Sequence, residues 1–288
     1  IGFGFVEVGS VTAQPASGNT KPRAFRLPED RALINRLGLN NDGAETVAER
    51  LDKGRSDRSR PLGVNLAKTH DSDIIGEAAL EDYRTSFQML VSEADYVTLN
   101  VSCPNTADGR TFEAPEALDE LLDVIGAEQK APGLAVPVLI KLSPPLSDQV
   151  LFDTQLEEIV AVAEEREVDG FVATNTAPDR QGLRTSPERL SEIGEGGLSG
   201  PPLEARSTRL VRYLYQATDG EIPVIGVGGV RDAASAYAKI RAGASLVQLY
   251  TALTYEGPAL VREIKEGLVD RLSEDGYASV AGAVGADV

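Results

Sequence analysis

Short runs rich in β-branched residues recur along the chain, and between them lie longer stretches with apolar residues at helical spacing. No other feature constrains the fold as strongly. A hydrophobic period that switches from two to 3.6 and back marks βα units, because parallel strands need a long crossover between them. Strands are expected over residues 5–8, 62–66, 96–101, 138–142, 170–174, 224–227 and 246–250. Helices are expected over residues 73–94, 117–125, 156–166, 203–216, 232–241 and 258–272.

Seven βα units predict an α/β fold of the TIM type, a (β/α)8 barrel. Such a barrel closes with eight strands. The chain opens at Ile1 on an apolar run without an initiator Met, so the first strand is expected to lie upstream of it. The rival is an open doubly wound sheet. It is disfavoured because no G-x-G-x-x-G turn follows the first strand and polar residues stand after almost every strand. Residues 1–288 are expected to form a single barrel domain. Residues 11–39 contain Pro15, Gly18, Pro22 and Pro28 and are too long for a plain βα loop, so they are expected to make an excursion, a hairpin, over the catalytic face. Residues 274–288 read as a tail of small residues with a short closing helix.

Composition narrows the function. Asp and Glu number 45 against 28 Lys and Arg, a formal net charge of −17, which would repel a nucleic acid. Only seven basic residues are lysines, a balance that suits a surface adapted to high salt. One Cys forbids an internal disulfide, and one His with one Cys cannot build a zinc site. No apolar run reaches the length of a membrane span and no leader opens the sequence, so a cytoplasmic location is expected. Chemistry is left to a borrowed cofactor or to the few polar residues at the strand ends.

Those strand ends carry, in order, Ser10, Asn65, Asn100 with Cys103 and Asn105, Lys141, Thr174 with Asn175 and Thr176, Gly228-Gly229, and Tyr250-Thr251. Amides both donate and accept, so a rim of asparagines suits a small planar ligand with C=O and N–H groups, such as a pyrimidine; the plainer reading is that each Asn caps the next helix. Gly196-Gly197-Leu198-Ser199-Gly200 and Gly226-Val227-Gly228-Gly229 offer bare backbone N–H groups to a phosphate, with the Thr251 hydroxyl nearby, although tight turns alone also call for glycine. Lys141 ends an apolar strand and needs an anionic partner, for which a reduced flavin ring would serve; the alternative is a lysine snorkelling to solvent. Cys103 is the only thiol. A lone Cys is usually an inert small hydrophobe, but this one follows a strand end beside Pro104, Asn105 and Thr106, and an ordinary thiol pKa of about 8.5 suits a base. His70 reads as surface, since nothing pairs it with a nucleophile.

Taken together, several segments resemble the dihydroorotate dehydrogenases, specifically the class 2, quinone-type branch. They are residues 2–12, Gly18-Asn19 with Lys21-Pro22-Arg23, residues 34–41, residues 100–106, Ala173-Thr174-Asn175-Thr176, the two Gly-rich turns and residues 243–250. The resemblance implies FMN held by Ser10, Asn65, Asn100, Lys141, Thr174, Gly200, Gly228, Gly229, Tyr250 and Thr251. It implies a dihydroorotate or orotate ring gripped by Asn35, Arg36, Leu37, Gly38 and Leu39 of the excursion and by Asn100, Asn105, Asn175 and Thr176. It further implies a step of de novo pyrimidine synthesis in which Cys103 takes the C5 proton of (S)-dihydroorotate while the C6 hydride passes to FMN. Quinone would be the second acceptor, with peripheral contact at the cytoplasmic side of the cell membrane.

Two departures stand out. Class 2 members carry Ser where Cys103 stands and class 1 members carry Cys, so this base is expected to work at lower pH than a serine. The family's first-strand Ala-Gly-Leu-Asp-Lys-like segment and its N-terminal helices have no counterpart in the sequence. Two alternatives stay open. One is another FMN barrel reductase, of the dihydropyrimidine dehydrogenase type, which would lack the Asn35-Arg36-Leu37-Gly38 excursion. The other is a catalytically incomplete fragment with exposed sheet edges.

Overall fold

The computed structural model describes residues 1–102, 111–130, 136–145 and 154–288. Seven parallel strands form one sheet: β1 (Val6–Val11), β4 (Leu62–Leu66), β5 (Tyr96–Asn100), β6 (Val138–Leu142), β7 (Gly170–Ala173), β9 (Val224–Val227) and β10 (Ala244–Gln248), paired in that order. The helices between them are α1 (Ala44–Lys53), α2 (Glu77–Leu90), α3 (Pro115–Gln129), α4 (Thr154–Glu165), α5 (Pro187–Ile193), α6 (Glu204–Ala217) and α7 (Ala233–Arg241). After β10 come α8 (Leu253–Glu256), α9 (Leu260–Glu274) and α10 (Val280–Ala283). This is the α/β barrel type expected from the alternation. The sheet's edges are β1 and β10, and Gln248 Nε2 of β10 donates to Glu7 Oε2 of β1 at 3.1 Å, so the curled sheet is bridged from inside by side chains.

The period-two rule decides what each strand shows to helix and to barrel interior. Leu66, Leu99, Ile140 and Phe171 face outward and are buried with Tyr83 and Phe87 of α2, Leu118 and Leu121 of α3, Ile159 of α4 and Leu210 and Leu214 of α6. Burying each such side chain is worth about 1.5–3 kcal/mol. Inside, Leu139, Val172 and Ile225 form a separate small cluster with Phe5, Tyr96 and Val227. On α7, α9 and α10, Tyr237, Ile240, Ile264, Leu268 and Ala283 build another, so the short closing helix of the tail packs on the last βα unit.

The excursion contains β2 (Ala24–Leu27) and β3 (Ala32–Asn35), an antiparallel hairpin. A third strand, β8 (Gly197–Ser199), pairs with β3 where the sequence suggested a bare glycine turn. The reason is Leu198, which is buried among Leu27, Ile34 and Ile193 and draws its segment into the ladder. Other bounds also shift. α2 starts after Gly76 and gives way to a 3-10 turn at 91–93, so it is shorter than 73–94. The last strand ends at Gln248, leaving Tyr250 two residues beyond it, and α1 and α5 were not anticipated.

Candidate functional site

Two polar tiers occupy the barrel interior near β1, β4, β5 and β10. In the lower tier the Glu7 carboxylate accepts from Asn65 Nδ2 (3.3 Å), Tyr96 Oη (3.2 Å), Thr98 Oγ1 (3.0 Å) and Gln248 Nε2 (3.1 Å). Tyr96 fits because Gly63, opposite it in register, has no Cβ to meet its ring. Burial first, then the Glu7 charge and hydrogen bond, push the Tyr96 phenol far above its ordinary pKa, so it remains a donor. Asn65 also accepts from Ser10 Oγ at 2.6 Å, which links this tier to the rim.

The upper tier is built around Asn100, which is buried at the end of β5. Its Oδ1 accepts from Ser102 Oγ (2.8 Å) and Asn175 Nδ2 (3.0 Å), and Asn175 Nδ2 also lies 2.7 Å from Ser102 Oγ. The backbone of Asn100 is fixed from behind by the buried Tyr83, whose hydroxyl donates to its carbonyl at 2.7 Å. Asn175 Oδ1 accepts from Thr176 N, which orients the amide. Beside Asn100 in register stands Lys141, half-buried and two residues past the inward Leu139. Among the described residues no hydrogen bond or ion pair engages its ammonium. Cys103 and Asn105 lie outside the described residues.

A glycine-lined turn closes the opposite side of the rim. Gly229, at φ +77°, has its Cβ direction within 2.5 Å of Glu204 Cβ and 2.8 Å of Glu204 N, so any side chain would collide with the first turn of α6. Gly200, at φ +110°, faces Thr251 Cγ2 and Ala32 Cα at 3.1 Å. Buried Thr251 donates to Ser199 Oγ at 2.9 Å, bringing β8 and the end of β10 together. Thr174, buried beside Asn175, donates to the Asn175 carbonyl at 2.9 Å. Tyr250, two residues past β10, is 72% exposed.

The excursion reaches this rim through β3. Asn35 Nδ2 lies 3.4 Å from the Gly197 carbonyl. Arg36 lies over the Phe25 ring, 4.7 Å from its centroid, and donates to the carbonyls of Ile193 and Glu195. Gly38 packs against Asn19, whose side chain donates to the Arg36 carbonyl, while Leu37 is exposed. His70 is exposed, as expected of a surface residue.

A family model for dihydroorotate dehydrogenase matches residues 1–272. This chain belongs to that family. A dihydroorotate dehydrogenase (quinone) of Haloarcula marismortui is 46% identical over 288 residues, spanning all of this chain and 77% of the relative. One from Roseiflexus castenholzii is 47% identical over 287 residues, covering all of this chain and 75% of the relative. A crystal structure of ligand-free dihydroorotate dehydrogenase from Eimeria tenella superposes with a TM-score of 0.89 at 36% identity, covering 99% of this chain and 82% of that one. The chain is therefore an oxidoreductase barrel of the family's quinone-type branch, and the Haloarcula relative accords with the salt-adapted surface.

Within this dihydroorotate dehydrogenase fold, Ser10, Asn65, Asn100, Lys141, Thr174, Asn175, Gly228, Gly229 and Thr251 gather at one end of the barrel. Sequence reasoning missed Ser102, Ser199 and the Glu7 tier. A hydroxyl at every strand end could have pointed to the serines; a lone Glu inside an apolar strand was the only sign of the tier.

Proposed function

We propose that this chain oxidises (S)-dihydroorotate to orotate with FMN as its cofactor and a quinone as the second acceptor, in pyrimidine biosynthesis. The observation that carries the reading is Lys141: a half-buried ammonium on the inner wall, with no anionic partner among the described residues, next to the Asn100–Asn175 amide pair. A cation in that place calls for an anion from a ligand. The residues fit a flavin mononucleotide. Gly200 and Gly229, both at positive φ, bring the backbone into close contact with Thr251 and with the first turn of α6, where a helix N-terminus favours a phosphate. Ser10, Asn65, Thr174 and the backbone of Tyr250 complete the cofactor's surroundings, and the Thr251 hydroxyl reaches the phosphate side.

Bound FMN supplies the two-electron acceptor for the C6 hydride. The protein's own part is to hold the pyrimidine and move a proton. Asn100, Asn105, Asn175 and Thr176 bind the carbonyl and N–H edge of the ring. Residues Asn35, Arg36, Leu37, Gly38 and Leu39 cover it from the excursion and exclude water. Cys103 takes the C5 proton, a role for which a thiol is better suited near neutrality than a serine. The quinone accords with the relatives' names, and a peripheral seat on the cytoplasmic side of the cell membrane is proposed with it. The test is anaerobic: purified protein carrying FMN is expected to lose its yellow absorbance on addition of dihydroorotate but not of dihydrouracil, and to regain it with a quinone. Bleaching by dihydrouracil alone would move the chain to a dihydropyrimidine-type reaction.

A further inference from the structure

Lys239 of α7 is fully buried, in a chain with few lysines. Its Nζ lies 2.9 Å from Ser207 Oγ, 3.0 Å from Thr208 Oγ1 and 3.4 Å from the Glu204 carbonyl. Both hydroxyls have already placed their hydrogens: Ser207 donates to the Val227 carbonyl at 2.5 Å and Thr208 to the Glu204 carbonyl at 2.7 Å. Nζ must therefore donate to both, and the Glu204 carbonyl stands ready to accept a third N–H, so the site is shaped for an ammonium. Among the described residues, no carboxylate pairs with it. The Glu204 carboxylate pairs with Arg231, and Asp232 caps α7 through Ser235. Arg209 and Arg212 of α6 line a surface groove with Glu204, Thr208 and Ala238. From β9 it meets Gly226, whose Cβ direction comes within 3.1 Å of Lys239 Cδ, and β7 presents only the Ala173 carbonyl, through Ser207. Burial holds this ammonium down to a pKa of about 7.

A buried cation surrounded only by neutral acceptors lacks a counter-charge. The place for one lies across the wall. Ser207 grips the carbonyl of Val227, the residue that leads into Gly228-Gly229, and Gly229 rests on Glu204, whose carbonyl also faces Nζ. We propose that Lys239 is the buried counter-charge of this turn, a positioning residue that acts on a phosphate monoester bound there through Ser207 and the first turn of α6 without touching it. The proposal rests on the reading of Gly228-Gly229 as the FMN phosphate site. Anion and ammonium stabilise each other across low dielectric, so binding of the dianion draws one proton from solvent onto Lys239, with no bond made or broken at phosphorus.

Calorimetry of the apoprotein at pH 8, where the phosphate is already dianionic, tests this with FMN and with riboflavin, in two buffers of different ionisation enthalpy. Net proton uptake is expected with FMN and none with riboflavin. In Lys239→Met the uptake is expected to vanish and FMN affinity to fall about tenfold, about 1.4 kcal/mol, with riboflavin affinity unchanged. An equal loss for both flavins would reduce Lys239 to a structural role and overturn the proposal. The wild-type uptake decides the matter even if Lys239→Met fails to fold: its absence, with FMN clearly preferred over riboflavin, overturns the proposal and leaves the phosphate site standing. Wild-type protein that binds FMN no better than riboflavin overturns the phosphate site itself.

Discussion

Glu7 and Lys141 are both charged, both half-buried and both on the inner wall of the barrel, yet their surroundings differ completely. Four donors from three strands fill the lone pairs of Glu7, among them the Gln248 amide that bridges the two sheet edges. Among the described residues nothing fills the ammonium of Lys141. A satisfied charge belongs to the scaffold, because its desolvation is offset within the fold. An unsatisfied one points to a ligand. The lower tier therefore reads as structure and the rim as chemistry.

The contrast separates the expected effects of substitution. Cys103→Ala is expected to keep FMN and to slow flavin reduction by dihydroorotate about 10²- to 10⁴-fold, the scale of a general base; stopped-flow bleaching reads it, and unchanged kinetics would remove Cys103 from the base role. Lys141→Met is expected to weaken FMN binding about 10- to 100-fold, the scale of a lost hydrogen bond to a charge, with unfolding hardly altered. A variant that instead unfolds easily would place Lys141 in the scaffold. Glu7→Leu should do the reverse: about 2 kcal/mol less stable to urea, since its donors lose their acceptor, with a milder effect on the rate of the folded enzyme.

The barrel was legible because parallel strands buried on both faces leave an unmistakable alternation, and Lys141 could be placed inward by counting in twos from Leu139. Asn65, Asn100 and Asn175 were visible as strand-end amides. Other features left no such trace. β8 has three residues and one apolar side chain, too few to carry a period, and it exists only because β3 lies beside it. Glu7 in Val6-Glu7-Val8 looks like a solvent-facing position, since its donors come from β4, β5 and β10, far away in sequence. Lys239 in Ala238-Lys239-Ile240 looks like the polar face of a helix until α6 is packed over it.

The smallest expected effect is on acid stability, where a carboxylate that takes no part in either tier serves as a control. Burial opposes ionisation of Asp30, but the amides of Arg184 and Thr185 and the Thr185 hydroxyl outweigh it and hold its carboxyl below the ordinary value of 3.8. Its contribution is present above that value and is lost as the pH falls through the lower folded-state pKa. Asp30→Asn should flatten the acid limb of a stability–pH curve while leaving flavin reduction unchanged; an unaltered acid limb would deny the hairpin turn this tether.

The function assigned to the rim is tested most directly by a single anaerobic turnover. Protein carrying FMN is mixed with excess dihydroorotate, and orotate is counted against the flavin bleached. One orotate per flavin is the expected result, and FMN that stays oxidised with no orotate formed would contradict the account.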